Sequence, residues 1–168
     1  MGLIKSEFIN CVYSESLYKL SSLRLVLSTA SPLKPATFRF INRHLKERVV
    51  IGSISGGTDI IGCFMGATLN RPVVPGECQH FLLGIDAVTY NAKGDVVTDE
   101  RGELVVRRPF PSMPVRFVND SDGLRYRKAY FSKFPHVWTH GDFCIYNSAT
   151  NGISIIGRSS TDSLSIPE

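Results

Sequence analysis

Apolar and polar positions along the chain fall into two textures. Up to about residue 66, short aliphatic runs flank one longer segment with helical spacing. Beyond residue 68, β-branched positions alternate with polar ones around clusters of turn residues. In the first part, "LRLVLST" (23–29) reads as a buried strand, "ASPLK" as a loop, and "PATFRFINRHLKER" (35–48) as a helix of about three to four turns. Pro35 sits where a first-turn proline belongs, and Phe38, Ile41 and Leu45 share one side. "VVIGSI" (49–54) is the next strand. Strand, helix and strand in this order predict a parallel α/β unit, whose ligand site lies beyond the carboxyl ends of its strands. Both "STASPLK" and "SGGTD" fall at such ends. The following "IIGCFMG" suits either a short helix or a strand, and "FINCVYSESLYKL" (8–20) a short helix and its approach.

In the second part, "GIDAVTYNAKGDVVTDERGELVVRRPFP" carries turn clusters at "NAKGD" and "DERGE", and "HGDFCIYNSATNGISIIGRSS" carries one at "NSATNG". Alternation broken by such clusters predicts antiparallel hairpins. The expected fold class is therefore α/β. A partial parallel α/β subdomain covers residues 1–68, a small antiparallel β-barrel-like subdomain covers 69–160, and 161–168 form an irregular tail.

Composition narrows the class. Hydrophobic residues make up 43% and charged residues 20%, the balance of a globular chain rather than a disordered one. The apolar runs are too short to span a bilayer and no secretory pattern opens the chain, so a cytoplasmic protein without a membrane partner is expected. Cys11, Cys63, Cys78 and Cys144 show no C-x-x-C spacing and read as reduced packing residues; His44, His80, His136 and His140 lack metal-ligand spacing. The net charge is +4, with Arg101, Arg107, Arg108, Arg116, Arg125, Arg127 and Lys128 crowded into the third quarter. That crowd suits an anionic partner, or a solvated sheet surface given Asp99, Glu100, Glu103, Asp120 and Asp122 among it. No nucleic-acid motif accompanies it, so nucleic acid is not an expected partner. "MGLIKS" and "NDS" match lipidation and glycosylation patterns too short to carry weight.

The stretch "SISGGTDIIG" (53–62) places two glycines, a hydroxyl and a carboxylate between apolar runs. Glycine lets a ligand approach the backbone, threonine donates a hydrogen bond, and aspartate is a hard oxygen ligand. The same residues also build ordinary turns.

Taken in order, "LSTASPLK", "IGSISGGTDIIGCFMG", "GELVV", "YRKAYFSKFPHVWTHGDF" and "GISIIGRS" resemble the motifs of the adenylate-forming acyl-CoA synthetases, and "SGGTDI" with "AYFSKFP" resembles their acetoacetate-activating branch. The resemblance runs from about residue 20 to 159 and matches a middle portion of a longer family protein. It implies an acetoacetate–CoA ligase, which uses ATP, Mg²⁺ and CoA and passes through an acyl-adenylate. Ala30, Ser31 and Pro32 match the loop that lines the adenine, with Ala30 where a glycine is usual. Gly57, Thr58 and Asp59 match the segment that meets the adenylate phosphate, with Asp59 as the Mg²⁺ ligand. Gly56 stands where acetate enzymes have a tryptophan, and losing an indole there implies room for a β-keto acid. Asp142 matches the aspartate that holds the ribose hydroxyls, and Arg158 the arginine near the domain hinge. Read without the resemblance, Gly56 and Gly57 suit a plain turn, Thr58 and Asp59 a helix cap, Asp142 a hairpin turn and Arg158 a surface cation.

The resemblance also implies a phosphate-gripping loop and a domain bearing a catalytic lysine, neither of which is found in the sequence. No catalytic residue is assigned, and the CoA site is expected to be mostly missing. Ser160 stands where the family has a hinge aspartate. The expectation is a truncated portion of a ligase, inactive by itself. The alternatives are a non-catalytic nucleotide-binding or regulatory module, and a basic polyanion-binding module. A sheet of two parallel strands leaves edges and apolar faces bare. That predicts poor solubility or a partner such as a full-length homologue.

Overall fold

The computed structural model describes residues 19–159. The helix expected within residues 8–20 falls almost wholly outside them, as does the 161–168 tail. Strand β1 (Leu25–Ser28), helix α1 (Pro35–His44) and strand β2 (Val50–Ser53) follow one another, and the strands pair in parallel from Leu25 against Val50 to Ser28 against Ser53. Phe38 and Ile41 of α1 are buried against Val49 and Ile51, with Leu23, Val26, Leu33, Leu45 and Val73 packed around them. The helix stops at His44, short of the expected Arg48. Lys46 turns its ammonium back to the carbonyls of Leu23 (2.5 Å) and Ser21 (3.0 Å), and Arg48 adopts a left-handed φ of 60° that swings the chain into β2. The β1 positions facing away from α1 stay in solvent, with Leu25 40% and Leu27 54% exposed. Among the described residues the unit is covered on one face only.

Strands β3 (Ser55–Gly57), β4 (Gly62–Gly66) and β5 (His80–Phe81) form a three-stranded antiparallel sheet, so "IIGCFMG" is a strand. Strands β6 (Ala87–Tyr90), β7 (Gly102–Val106), β8 (Trp138–Asn147) and β9 (Gly152–Arg158) form a four-stranded antiparallel sheet in sequence order. An isolated bridge from Cys78 to Ile153 ties the two sheets together. The expected hairpins are present. The side-chain carbonyl of Asn91 accepts the amides of Lys93 (2.8 Å) and Asp95 (3.0 Å), which tightens the first turn. The barrel-like expectation needs correction. Among the described residues the outer strands β6 and β9 do not pair, and with so few strands the twisted sheet curls without closing.

Ile60, Phe64 and Met65 from the β3–β4 hairpin pack with Leu104, Val106, Trp138, Cys144 and Ile153 in a second core. Each large side chain so buried contributes about 1.5–3 kcal/mol. Against it lies helix α2 (Leu124–Phe131), which the hydrophobic pattern did not predict. Its start is held by a buried carboxylate: Asp120 accepts the amides of Arg125 (3.0 Å) and Tyr126 (2.9 Å), and Asp122 accepts that of Leu124 (3.1 Å). No helix among the described residues is long and apolar enough to cross a membrane.

Candidate functional site

Beyond Ser28 the chain leaves the sheet through Thr29, Ala30, Ser31 and Pro32. Ala30 is held at φ 72°, in the left-handed region. A Cβ there costs about 1–2 kcal/mol, more than the roughly 0.5–1 kcal/mol of extra chain entropy that a glycine loses on folding. Ala30→Gly is therefore expected to stabilise the chain by up to about 1 kcal/mol, read as a higher midpoint in scanning calorimetry.

Beyond Ser53 the chain enters β3, which approaches β4 with a register shift between Ser55 and Gly56. A Cβ on Gly56 would lie 2.0 Å from the Gly62 carbonyl oxygen and 2.5 Å from Cys63 Cα. Close strand approach is the reason for this glycine. The space that an absent indole was expected to leave is filled by β4 backbone. A Cβ on Gly57 would meet His140 Cε1 at 3.0 Å. Thr58 and Asp59 are exposed in the turn that follows. The Tyr130 hydroxyl donates to the Asp59 carboxylate, and its ring lies flat on Trp138 with centroids 3.6 Å apart. Burial, and then the bond to Asp59, hold the Tyr130 hydroxyl well above the usual tyrosine range.

Across from this floor, β8 and β9 pair Asp142 with Arg158. Asp142 is 8% exposed. Its Oδ1 accepts a hydrogen bond from Arg158 Nη1 at 3.0 Å, and its Oδ2 lies 3.5 Å from His140 Nε2. Ala30, Ser31, Pro32, Gly56, Gly57, Thr58, Asp142 and Arg158 share one cleft of about 470 Å³. Asp59 is outside its lining. Cys63 and Ile155 also line the cleft and were not anticipated.

His140 was missed as well, although a signal existed. It stands two residues before Asp142 in a strand, and so on the same face of the sheet. Its Nε2 is 3.2 Å from the Gly56 carbonyl oxygen, its ring meets Phe64 edge-on at 4.7 Å, and Nδ1 is buried without a partner. Burial is the largest influence on this imidazole and keeps it neutral below the usual histidine range, against the opposing pull of Asp142. An unfolded histidine takes up a proton near pH 6.5 that the folded chain refuses, so stability is full above that pH and falls as pH drops below it. Urea midpoints of the parent chain should decline from about pH 6.5 to 5, and His140→Gln should flatten that slope.

Part of the arginine-rich quarter is engaged within the chain. Arg107 and Arg108 flank Asp86 at 2.7 and 3.4 Å, Arg101 lies over the Phe143 ring at 3.8 Å, and Lys133 pairs with buried Glu103 at 2.6 Å. Among the described residues no three acidic, histidine or cysteine side chains are grouped to hold a metal. A single carboxylate suffices for Mg²⁺ where phosphate oxygens and water complete its shell, and exposed Asp59 fits that role.

Over 142 residues, 84% of the chain, the sequence is 49% identical to the acetoacetyl-CoA synthetase of Xenopus tropicalis. A solved acetoacetyl-CoA synthetase from Streptomyces lividans superposes on 83% of the chain with a TM-score of 0.76 and 45% identity. Over these residues the chain is similar to acetoacetyl-CoA synthetases. It spans about one fifth of the length of these relatives, 21% of the first and 22% of the second. The anthranilate CoA ligase AuaEII, solved in complex with anthranoyl-AMP, superposes on 87% of the chain and covers 26% of its own, with a TM-score of 0.70 and 20% identity; at that identity it shows a shared fold alone. No protein-family model matches the chain.

Proposed function

We propose that the cleft is an adenylate pocket and that the chain is a nucleotide-binding part of an acetoacetate–CoA ligase. The observation that carries this reading is the convergence of three distant stretches (30–32, 56–58 and 142–158) on one cleft around a buried, oriented carboxylate. In the overall reaction, acetoacetate attacks the α-phosphate of ATP with loss of diphosphate. The thiol of CoA then displaces AMP to give acetoacetyl-CoA.

In this chain Ala30, Ser31 and Pro32 cover the adenine. Asp142 accepts the two ribose hydroxyls with the lone pairs that Arg158 and His140 leave to the cleft. The Thr58 hydroxyl donates to the α-phosphate, Gly56 and Gly57 form the floor beside it, and Arg158 places a cation next to it. Asp59 would hold Mg²⁺, which when bound neutralises phosphate charge. The described residues lining the cleft include no lysine, so it positions nucleotide rather than supplying a reacting group. None of the described residues is assigned to CoA. A cytoplasmic setting suits the free thiols of Cys63, Cys78 and Cys144. The contacts of Arg107 and Arg108 with Asp86 and of Arg101 with Phe143 weigh against the polyanion-binding alternative.

Calorimetric titration of the 168-residue chain with AMP tests the reading. Saturable one-to-one binding, strengthened by Mg²⁺, is expected. Absence of binding to a chain shown to be folded would overturn it.

A further inference from the structure

We propose that His140 is the positioning residue that fixes the Asp142 carboxylate for the nucleotide's ribose and ties it to the glycine floor of the cleft. This rests on the adenylate reading and deepens it.

The tautomer follows from the surroundings. A neutral imidazole carries one hydrogen, and Nδ1 is buried with nothing to accept it. Nε2 faces two acceptors, the Gly56 carbonyl oxygen at 3.2 Å and Asp142 Oδ2 at 3.5 Å. The hydrogen therefore resides on Nε2, directed between the floor and the wall of the cleft. The ring has little freedom to leave that orientation. Phe64 meets it edge-on on one side, and Gly57 closes the other so tightly that even a Cβ would crowd Cε1.

The two partners of Asp142 differ in kind. Arg158 reaches Oδ1 with a side chain that is itself 62% exposed, an ion pair of the loosely held surface type. His140 reaches Oδ2 with a side chain that is only 9% exposed. The carboxylate is thus bonded at Oδ1 to an exposed cation and braced at Oδ2 by a buried imidazole 3.5 Å away, whose Nε2–H is bonded to the Gly56 carbonyl. With the brace removed, the carboxylate rotates about its own bond, and its remaining lone pairs no longer face the ribose together. Preorganisation of this sort acts on the ligand groups that the carboxylate touches and leaves the adenine and phosphate contacts alone.

The proposal is tested by titrating the full chain with AMP and with 2′,3′-dideoxy-AMP. The variants are His140→Phe, which removes the donor, His140→Asn, which is too short to reach Asp142, and His140→Gln, whose amide nitrogen takes the place of Nε2. His140→Phe and His140→Asn should each weaken AMP about 3-fold through loss of carboxylate orientation. Dideoxy-AMP should bind all of them alike, and His140→Gln should restore most of the AMP affinity. If Phe fails to fold, Asn and Gln alone decide. Equal losses for both nucleotides, or no loss for either, would overturn the positioning role while the adenylate reading stands. Failure of the folded parent chain to bind AMP would overturn both.

Discussion

Replacing Asp142 with alanine is expected to abolish measurable AMP binding while leaving the fold nearly intact. The carboxylate would accept both ribose hydroxyls, and each hydrogen bond to a charged acceptor contributes about 1.5–3 kcal/mol. Losing two weakens binding by more than about 100-fold. The cost to stability is small by comparison. Arg158, freed from Oδ1, already stands largely in water, and pairs of that kind contribute about 0–1 kcal/mol. His140 keeps the Gly56 carbonyl as its partner. Titration and thermal unfolding of the same preparation separate the two effects. Undiminished AMP affinity in Asp142→Ala would remove Asp142 from the site.

What could be read in advance depended on how local its cause was. The strand–helix–strand unit and the two hairpins followed from spacing and turn residues, which act over a few positions. The candidate cleft residues followed from ordered motifs, and eight of the nine share one cavity. The ninth, Asp59, is drawn aside by Tyr130, a contact across 71 positions that no local pattern encodes. Helix α2 has charged and aromatic residues all round and no buried position, so periodicity gave no signal. The capping carboxylates of Asp120 and Asp122 were the available clue. The early end of α1 and the open sheet have the same kind of origin. Lys46 reaches carbonyls more than 20 positions away, and closure of a sheet depends on how many strands it holds. At Gly56 a glycine is required by backbone that only the β3–β4 pairing brings close.

Trp138→Ala is expected to produce the largest loss of stability of any single substitution considered, about 3–5 kcal/mol. The indole is 2% exposed and stands at the start of β8, opposite Val106. Phe110 meets its edge at 5.5 Å, Phe131 at 6.1 Å, and Tyr130 lies flat on it. It is therefore the surface on which α2 rests, and a cavity there loosens the helix as well as the core. Against a total of about 5–15 kcal/mol for an ordinary domain, a loss of that size removes from about a fifth to all of the stability. Trp138→Phe discriminates between packing and polar contributions. The indole Nε1 is buried without a hydrogen-bond partner, so phenylalanine gives up contact area but also removes an orphaned donor that costs about 1–3 kcal/mol. The two changes offset, and the phenylalanine variant should unfold within about 1–2 kcal/mol of the parent in a urea titration. If it falls as far as the alanine variant, the indole nitrogen has a partner and the ring is held by more than packing.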